Sequence, residues 1–143
     1  MNEDTIQLLK EIDSGCLMAI NSLHQMEEYE MSKEQQYMLT RYVGRHDDLQ
    51  KEASTLLHRN NETDKQPGMM ASAMSWLTTE MKMMMHNEGS QIAKIMMNGC
   101  NMGIQTIKEN MTKYKTASEE AVKLAQKLIK VEEEMFKDAQ AFI

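Results

Sequence analysis

An internal repeat limits the folds open to this chain more than any other feature of its sequence. Residues 14–20 read SGCLMAI, and residues 98–104 read NGCNMGI. Each copy is followed by a tyrosine, a Ser-x-Glu sequence and a long stretch with apolar residues at helical spacing. A repeat of this length is typical of a supersecondary unit that occurs twice. We therefore expect each copy to form one helical hairpin.

The amino-acid composition leaves little material for a β-sheet. The 143 residues include one proline and six glycines, and aromatic residues make up 5% of the chain. Methionine, leucine, glutamate and lysine, which favour helices, are abundant. A chain of this length is large enough for a hydrophobic core. The expected fold class is all-α, with residues 1–143 as a single helical bundle.

Apolar spacing and helix breakers predict the limits of the two hairpins. The first hairpin covers residues 3–60 and turns near residue 31, where Ser32 followed by Glu34 and Gln35 fits a helix N-cap with a capping box. A polar loop and a shorter crossover helix fill residues 61–89. The second hairpin covers residues 90–143, and Ser118 is expected to cap its second helix. A long connection between two antiparallel hairpins is the arrangement of ferritin-like bundles.

Two further segments carry a resemblance to a known family. Residues 45–52 read RHDDLQKE just before the polar loop, and Trp76 lies in the predicted crossover helix. With the repeat, these features make the chain resemble the ferritin-like superfamily. Within it, the chain is similar to small bacterial four-helix bundles classed as a domain of unknown function and related to rubrerythrins. The resemblance implies the fold, and it implies no defined activity.

Charge and hydropathy argue against two classes of partner. The formal net charge is −6, and the lysines and arginines form no basic stripe, so we expect no nucleic acid or anionic membrane as partner. The chain contains no apolar run long enough to span a bilayer, and it begins with the acidic sequence MNED. We expect a cytoplasmic protein with reduced cysteines, which forms a homodimer or binds another protein.

The ligands of an ordinary di-iron site are missing from the pattern. Such a site takes a glutamate from each of two helices and a Glu-x-x-His motif from each of the other two. Val43 stands three residues before His46, where a glutamate is needed, and the predicted helix that contains Glu132 has no histidine. We therefore expect no di-iron oxidase activity, no catalytic residues and no bound organic cofactor.

Four polar residues are nevertheless predicted to share one layer half-way along the bundle. Counted from the two hairpin turns, Cys16, His46, Cys100 and Glu132 fall at matching heights, and Asp13 lies one step away. Two thiols, an imidazole and a carboxylate are a ligand set for zinc or another transition metal. The same residues suit a hydrogen-bonded core cluster in which His46 binds Glu132 or Asp13. A redox-active thiol pair is the third interpretation.

Small residues and methionines add two more expectations. Gly15 and Gly99 precede the two cysteines, which predicts close contact between the first helices of the two hairpins or between two subunits. The chain has 17 methionines, and residues 81–86 of the crossover read MKMMMH. Methionine fills gaps in helical cores, and thioethers with an imidazole also bind copper(I).

The sequence therefore favours a non-catalytic ferritin-like bundle that serves as a scaffold, an interaction module or a stress-related protein. One alternative is a metal-binding protein that uses Cys16, His46, Cys100 and Glu132, with Asp13 as a further candidate ligand. The other is the handling of a soft metal or haem through the methionine-rich crossover helix.

Overall fold

Four α-helices form a bundle in the computed structural model, which describes residues 1–62 and 88–143. These helices are α1 (Glu3–Met26), α2 (Lys33–Arg59), α3 (Glu88–Lys113) and α4 (Glu119–Ala139), and a short 3-10 helix, Gln140–Phe142, follows α4. No β-strand occurs in these two ranges, so the all-α prediction is confirmed for them. Trp76 and the methionine-rich residues 81–86 lie outside the described residues.

None of the helices in the described ranges has the length and apolar character that crossing a membrane requires. The first hairpin begins at the predicted residue, and α1 ends at Met26, before the predicted turn near residue 31. The second hairpin was expected to begin at residue 90, and α3 begins two residues earlier, at Glu88.

Side-chain caps fix the beginnings of α2 and α4. The Ser32 hydroxyl accepts a hydrogen bond from the Gln35 amide nitrogen, and Ser118 does the same for Ala121. Both predicted N-caps are confirmed. The capping box at α2 is not completed, because the Ser32 amide makes no hydrogen bond to the Gln35 side-chain oxygen. The Gln35 side-chain nitrogen donates to the Gly89 carbonyl oxygen at 2.8 Å. Gln35 thus connects the first hairpin to the start of the second.

The end of α2 is a Schellman motif. The Glu62 amide donates to the Leu57 carbonyl oxygen at 2.9 Å, and the Asn61 amide donates to His58 at 3.1 Å. Asn61 has a φ of 59°, the left-handed conformation that asparagine tolerates better than most residues. The helix therefore stops just before residue 61, where the polar loop was predicted to begin.

Contacts at the two ends of the bundle give the direction of each helix. At one end, the Asn2 side chain donates to the Thr116 carbonyl oxygen at 2.8 Å, so the start of α1 lies beside the turn between α3 and α4. At the other end, Gln35 contacts Gly89, so the turn between α1 and α2 lies beside the start of α3. Consequently α1 and α4 run in one direction, and α2 and α3 run in the other.

The core consists mainly of aliphatic side chains and methionines from all four helices. On α3 the helical spacing predicts a buried stripe of Ala93, Met97, Cys100, Ile104, Ile107 and Met111. The observed stripe differs, because Met96 is 2% exposed whereas Met97 and Ile104 are only partly buried. Residues three and four positions from Cys100 both lie on its side of the helix. Which of them is covered depends on where the neighbouring helices lie, and the spacing does not specify that.

We expect Ser118→Ala to lower the free energy of unfolding by about 1 kcal/mol, because the first turn of α4 loses the acceptor for its Ala121 amide. Urea denaturation followed by circular dichroism measures this change. Lys130→Ala, at an exposed position within the same helix, is the control and should leave stability nearly unchanged. Equal stability of the two variants would show that the cap does not stabilise α4.

Candidate functional site

The structure brings the predicted polar residues together in one buried layer. Asp13 and Cys16 on α1, His46 on α2 and Cys100 on α3 are each 0% exposed, and Glu132 on α4 is 6% exposed. Each helix therefore contributes at least one of them. Burial of a polar group without a partner is costly, so the hydrogen bonds within this layer determine its structure.

His46 and Glu132 form the central contact of the layer. The His46 Nε2 and Glu132 Oε1 atoms are 2.5 Å apart, and this contact joins α2 of the first hairpin to α4 of the second. Both residues stand fourteen positions after their capping serines, Ser32 and Ser118, so they occupy equivalent places in the two hairpins. Of the two sequence-derived partners for His46, Glu132 is the one observed.

The second ring nitrogen of His46 fixes the orientation of the ring. His46 Nδ1 lies 2.7 Å from the Tyr42 carbonyl oxygen, which can only accept a hydrogen bond, so Nδ1 carries a hydrogen. Nε2 faces the Glu132 carboxylate on the other side of the ring. Both ring nitrogens of His46 are therefore engaged in hydrogen bonds.

The two thiols are held in their neutral form. Burial is the main cause that raises the pKa of both Cys16 and Cys100 above the usual range, and the negative charge of Glu132 raises both further. Asp13 adds to the effect on Cys16, and a hydrogen bond to the Glu132 carboxylate adds to the effect on Cys100. Neither cysteine forms a disulfide in the structure. Thiolate chemistry is therefore disfavoured at both positions.

Asp13 interacts with a residue that the sequence analysis did not single out. Asp13 Oδ1 accepts a hydrogen bond from Gln50 Nε2 at 2.8 Å. Gln50 stands four residues after His46 and therefore lies on the same side of α2. That spacing is a signal by which Gln50 could have been found. The contact adds a polar link between α1 and α2 to the one between α2 and α4.

The predicted metal site involves the same residues. Within residues 1–62 and 88–143, no group of three or more histidine, cysteine, aspartate or glutamate side chains is placed to hold a metal ion. Both ring nitrogens of His46 are instead engaged in hydrogen bonds. A zinc or other transition-metal site at Cys16, His46, Cys100 and Glu132 stays a prediction.

Outside the buried layer, an ionic cluster closes the side of the bundle between α2 and α4. The Tyr42 hydroxyl donates to Asp138 at 2.5 Å, and Arg41 donates to the same carboxylate oxygen at 2.6 Å. Arg45 pairs with Glu134 one turn along α4. Burial, with the hydrogen bond to Asp138, raises the pKa of Tyr42 to about 12. The cluster fixes Tyr42, whose carbonyl oxygen orients His46.

The opposite side of the bundle contains a cavity. It has a volume of about 210 Å³ and lies between α1 and α3, with α4 as its floor. Cys100 and Glu132 line it, but His46 does not, so the carboxylate stands between the imidazole and the cavity. Most of the remaining lining is apolar, and it includes five methionines: Met18, Met26, Met96, Met102 and Met135.

The predicted close contact at Gly15 and Gly99 is wrong for α1 and α3, and the alternative contact between two subunits stays a prediction. In the part of the chain that the structure describes, a Cβ atom added at Gly99 would have no heavy atom of another element within 4 Å, and one added at Gly15 would meet Leu128 of α4 at 3.8 Å. Both glycines line the cavity, so their missing side chains create space between α1 and α3 and do not draw the helices together. The sequence identified two positions between α1 and α3, but the presence of glycine does not distinguish a close contact from an open space.

A third glycine makes room for the carboxylate. A Cβ atom at Gly103 would lie 3.4 Å from Glu132 Oε2, so the bare backbone of α3 allows the carboxylate to approach it. The first copy of the repeat has Ala19 at this position. This difference between the copies is a signal for Gly103 that the sequence analysis did not use.

Comparisons of the chain with protein-family models, with curated proteins and with solved structures give no significant match. The functional interpretation therefore depends on the residues and their geometry.

We expect His46→Leu and Glu132→Leu each to lower the free energy of unfolding by about 3 to 5 kcal/mol, because each leaves a buried polar group without its partner. The double variant should lose less than either single variant, since it removes both groups together. Urea denaturation of all four proteins gives the coupling energy.

Arg45→Leu and Glu134→Leu provide a matched control cycle between the same two helices. This pair is about one-third exposed, so its coupling should not exceed about 1 kcal/mol. Additive effects in the His46–Glu132 cycle would contradict the assignment of this pair as the central contact.

We expect both cysteines to react with iodoacetamide at neutral pH at least about tenfold more slowly in the native protein than in urea. Their raised pKa values reduce the thiolate fraction, and burial limits access to the sulfur. Mass spectrometry of Cys16→Ala and Cys100→Ala variants assigns the rate of each remaining thiol. A native thiol that reacts as fast as the unfolded chain would refute the buried neutral state.

Proposed function

We propose that the protein is a non-catalytic helical bundle that works by binding, and that its binding site is the cavity between α1 and α3. The observation that carries this proposal is the cavity itself, because protein interiors are normally close-packed and contain few voids larger than a water molecule. An engineered apolar cavity of about 150 Å³ binds benzene. A volume of about 210 Å³ therefore suits a molecule somewhat larger than benzene.

The chemistry of the lining supports binding over catalysis. Cys100, the one lining residue with a nucleophilic sulfur, has its pKa raised well above the usual range by burial and by Glu132. Glu132 is already hydrogen-bonded to His46, with Oε1 and Nε2 2.5 Å apart. Neither side chain is prepared to attack a ligand or to remove a proton from it.

The arrangement of the helices supports a place for the chain in the ferritin-like class, which we propose as its finer fold assignment. Helices α2 and α3 run in the same direction, and α2 ends at the end of the bundle opposite to the start of α3. Two antiparallel hairpins with this relation are typical of ferritin-like bundles. The scaffold or interaction role expected from the sequence would then be exercised through the cavity.

Filling the cavity tests the proposal. We expect Gly99→Leu to abolish binding of indole, a neutral aromatic probe, because the new side chain occupies space that the wild-type protein leaves open. NMR spectra of protein with isotope-labelled methionine methyl groups report binding directly, since Met18, Met96 and Met102 line the cavity. Their signals should shift with indole in the wild type and stay fixed in the variant.

Gly44→Leu is the matched control. Gly44 also lies within a helix with no heavy atom within 4 Å of an added Cβ, but it does not line the cavity. Both substitutions should raise stability by up to about 1 kcal/mol through helix propensity. Only Gly99→Leu should block indole. A wild-type protein whose cavity methionines do not respond to indole would refute the proposed function.

A further inference from the structure

One of the methionines that line the cavity is also open to solvent. Met102 on α3 is 48% exposed. Met18, which has the equivalent place in the first copy of the repeat, lines the cavity too and is partly buried. Three further lining methionines in the described ranges are at most 4% exposed: Met26, Met96 and Met135. Met102 therefore borders the solvent and the cavity at the same time.

A thioether in this position differs in reactivity from the two buried thiols. Thiols react with peroxides as thiolates, and the raised pKa values of Cys16 and Cys100 keep that form scarce. Methionine sulfur has no proton to lose, so its oxidation depends on how well an oxidant can reach it. Among the described sulfur atoms that line the cavity, that of Met102 belongs to the most exposed side chain.

Oxidation changes the chemistry of the cavity wall at this side chain. Methionine is apolar and adapts its shape to an apolar ligand, whereas methionine sulfoxide is polar. An apolar ligand in the cavity would cover part of the sulfoxide, and removal of a polar group from water without a new partner is costly. Oxidation of Met102 should therefore weaken apolar binding.

We propose that Met102 is an oxidation site whose sulfoxide weakens the binding of apolar ligands in the cavity. The oxidant is a hydroperoxide. Its O–O bond breaks, the methionine sulfur takes up the terminal oxygen atom and is oxidised by two electrons, and the hydrogen of that oxygen passes to the other oxygen. The hydroperoxide is thereby reduced to water or an alcohol. Methionine sulfoxide reductases reverse the change. The effect on binding rests on the proposed function, whereas the oxidation itself does not.

The site is tested by a time course with hydrogen peroxide, in which fragment-ion mass spectrometry assigns the added oxygen to each methionine. We expect Met102 to be oxidised at least about tenfold faster than Met96 and Met135 in the native protein, because exposure controls the rate. In urea the three rates should become similar. A native rate at Met102 no faster than at the two buried methionines would overturn the assignment of the site.

The effect on binding is tested with indole after the peroxide has been removed. Oxidised wild-type protein should bind indole about tenfold more weakly than untreated protein, as read from the Met96 methyl signal. Treatment with a methionine sulfoxide reductase should restore the affinity. Met102→Leu keeps an apolar side chain of similar volume that peroxide does not oxidise, so the same treatment should change its affinity by less than about twofold.

Met97→Leu is the matched control, because Met97 lies on the same helix and is not one of the residues that line the cavity. This variant should lose affinity on oxidation as the wild type does. All other methionines are identical in the wild type and in Met102→Leu, so the difference between these two proteins isolates one side chain.

The two proposals fail in different ways. If untreated protein binds indole and oxidation weakens binding equally in Met102→Leu and in the wild type, the role of Met102 is overturned and the binding function stands. Unchanged affinity of oxidised wild-type protein would have the same meaning. If untreated protein does not bind indole, the proposed function is overturned, and the effect of oxidation on binding is overturned with it.

Discussion

The contact between His46 and Glu132 is the interaction on which the other features of this bundle depend. It joins the two hairpins at their centre, with Nε2 and Oε1 2.5 Å apart, and each partner lies at the equivalent place in its hairpin. Tyr42 orients the imidazole from one side through its carbonyl oxygen. Removal of either partner leaves the other buried and unmatched, which is more costly than the net contribution of the pair itself.

The two sides of the bundle differ because the pair has two different ends. On the imidazole side, Tyr42, Arg41 and Asp138 close the gap between α2 and α4 with hydrogen bonds and charges. On the carboxylate side, a cavity separates α1 from α3, and Glu132 is one of the residues that line it. Glycines at positions 15, 99 and 103 keep that side open. One buried contact thus links two helices on one side and forms part of the cavity wall on the other.

The sequence predicted the features that depend on local pattern and on counting. The caps at Ser32 and Ser118 follow from residue type, and the shared layer of Cys16, His46, Cys100 and Glu132 follows from distances along two helices of known rise. The cavity could not be predicted, because a glycine at position 99 is compatible with a close helix contact and with an open space. The choice between Met96 and Met97 also depended on where the neighbouring helices lie, which spacing within one helix does not specify.

The central claim is that the cavity between α1 and α3 is a binding site, and a crystal structure of the protein with indole tests it most directly. The account predicts the indole ring among the methionines between α1 and α3, with the contact between Glu132 and His46 intact. An indole bound elsewhere on the protein, or a cavity that stays empty at saturating indole, would contradict the account.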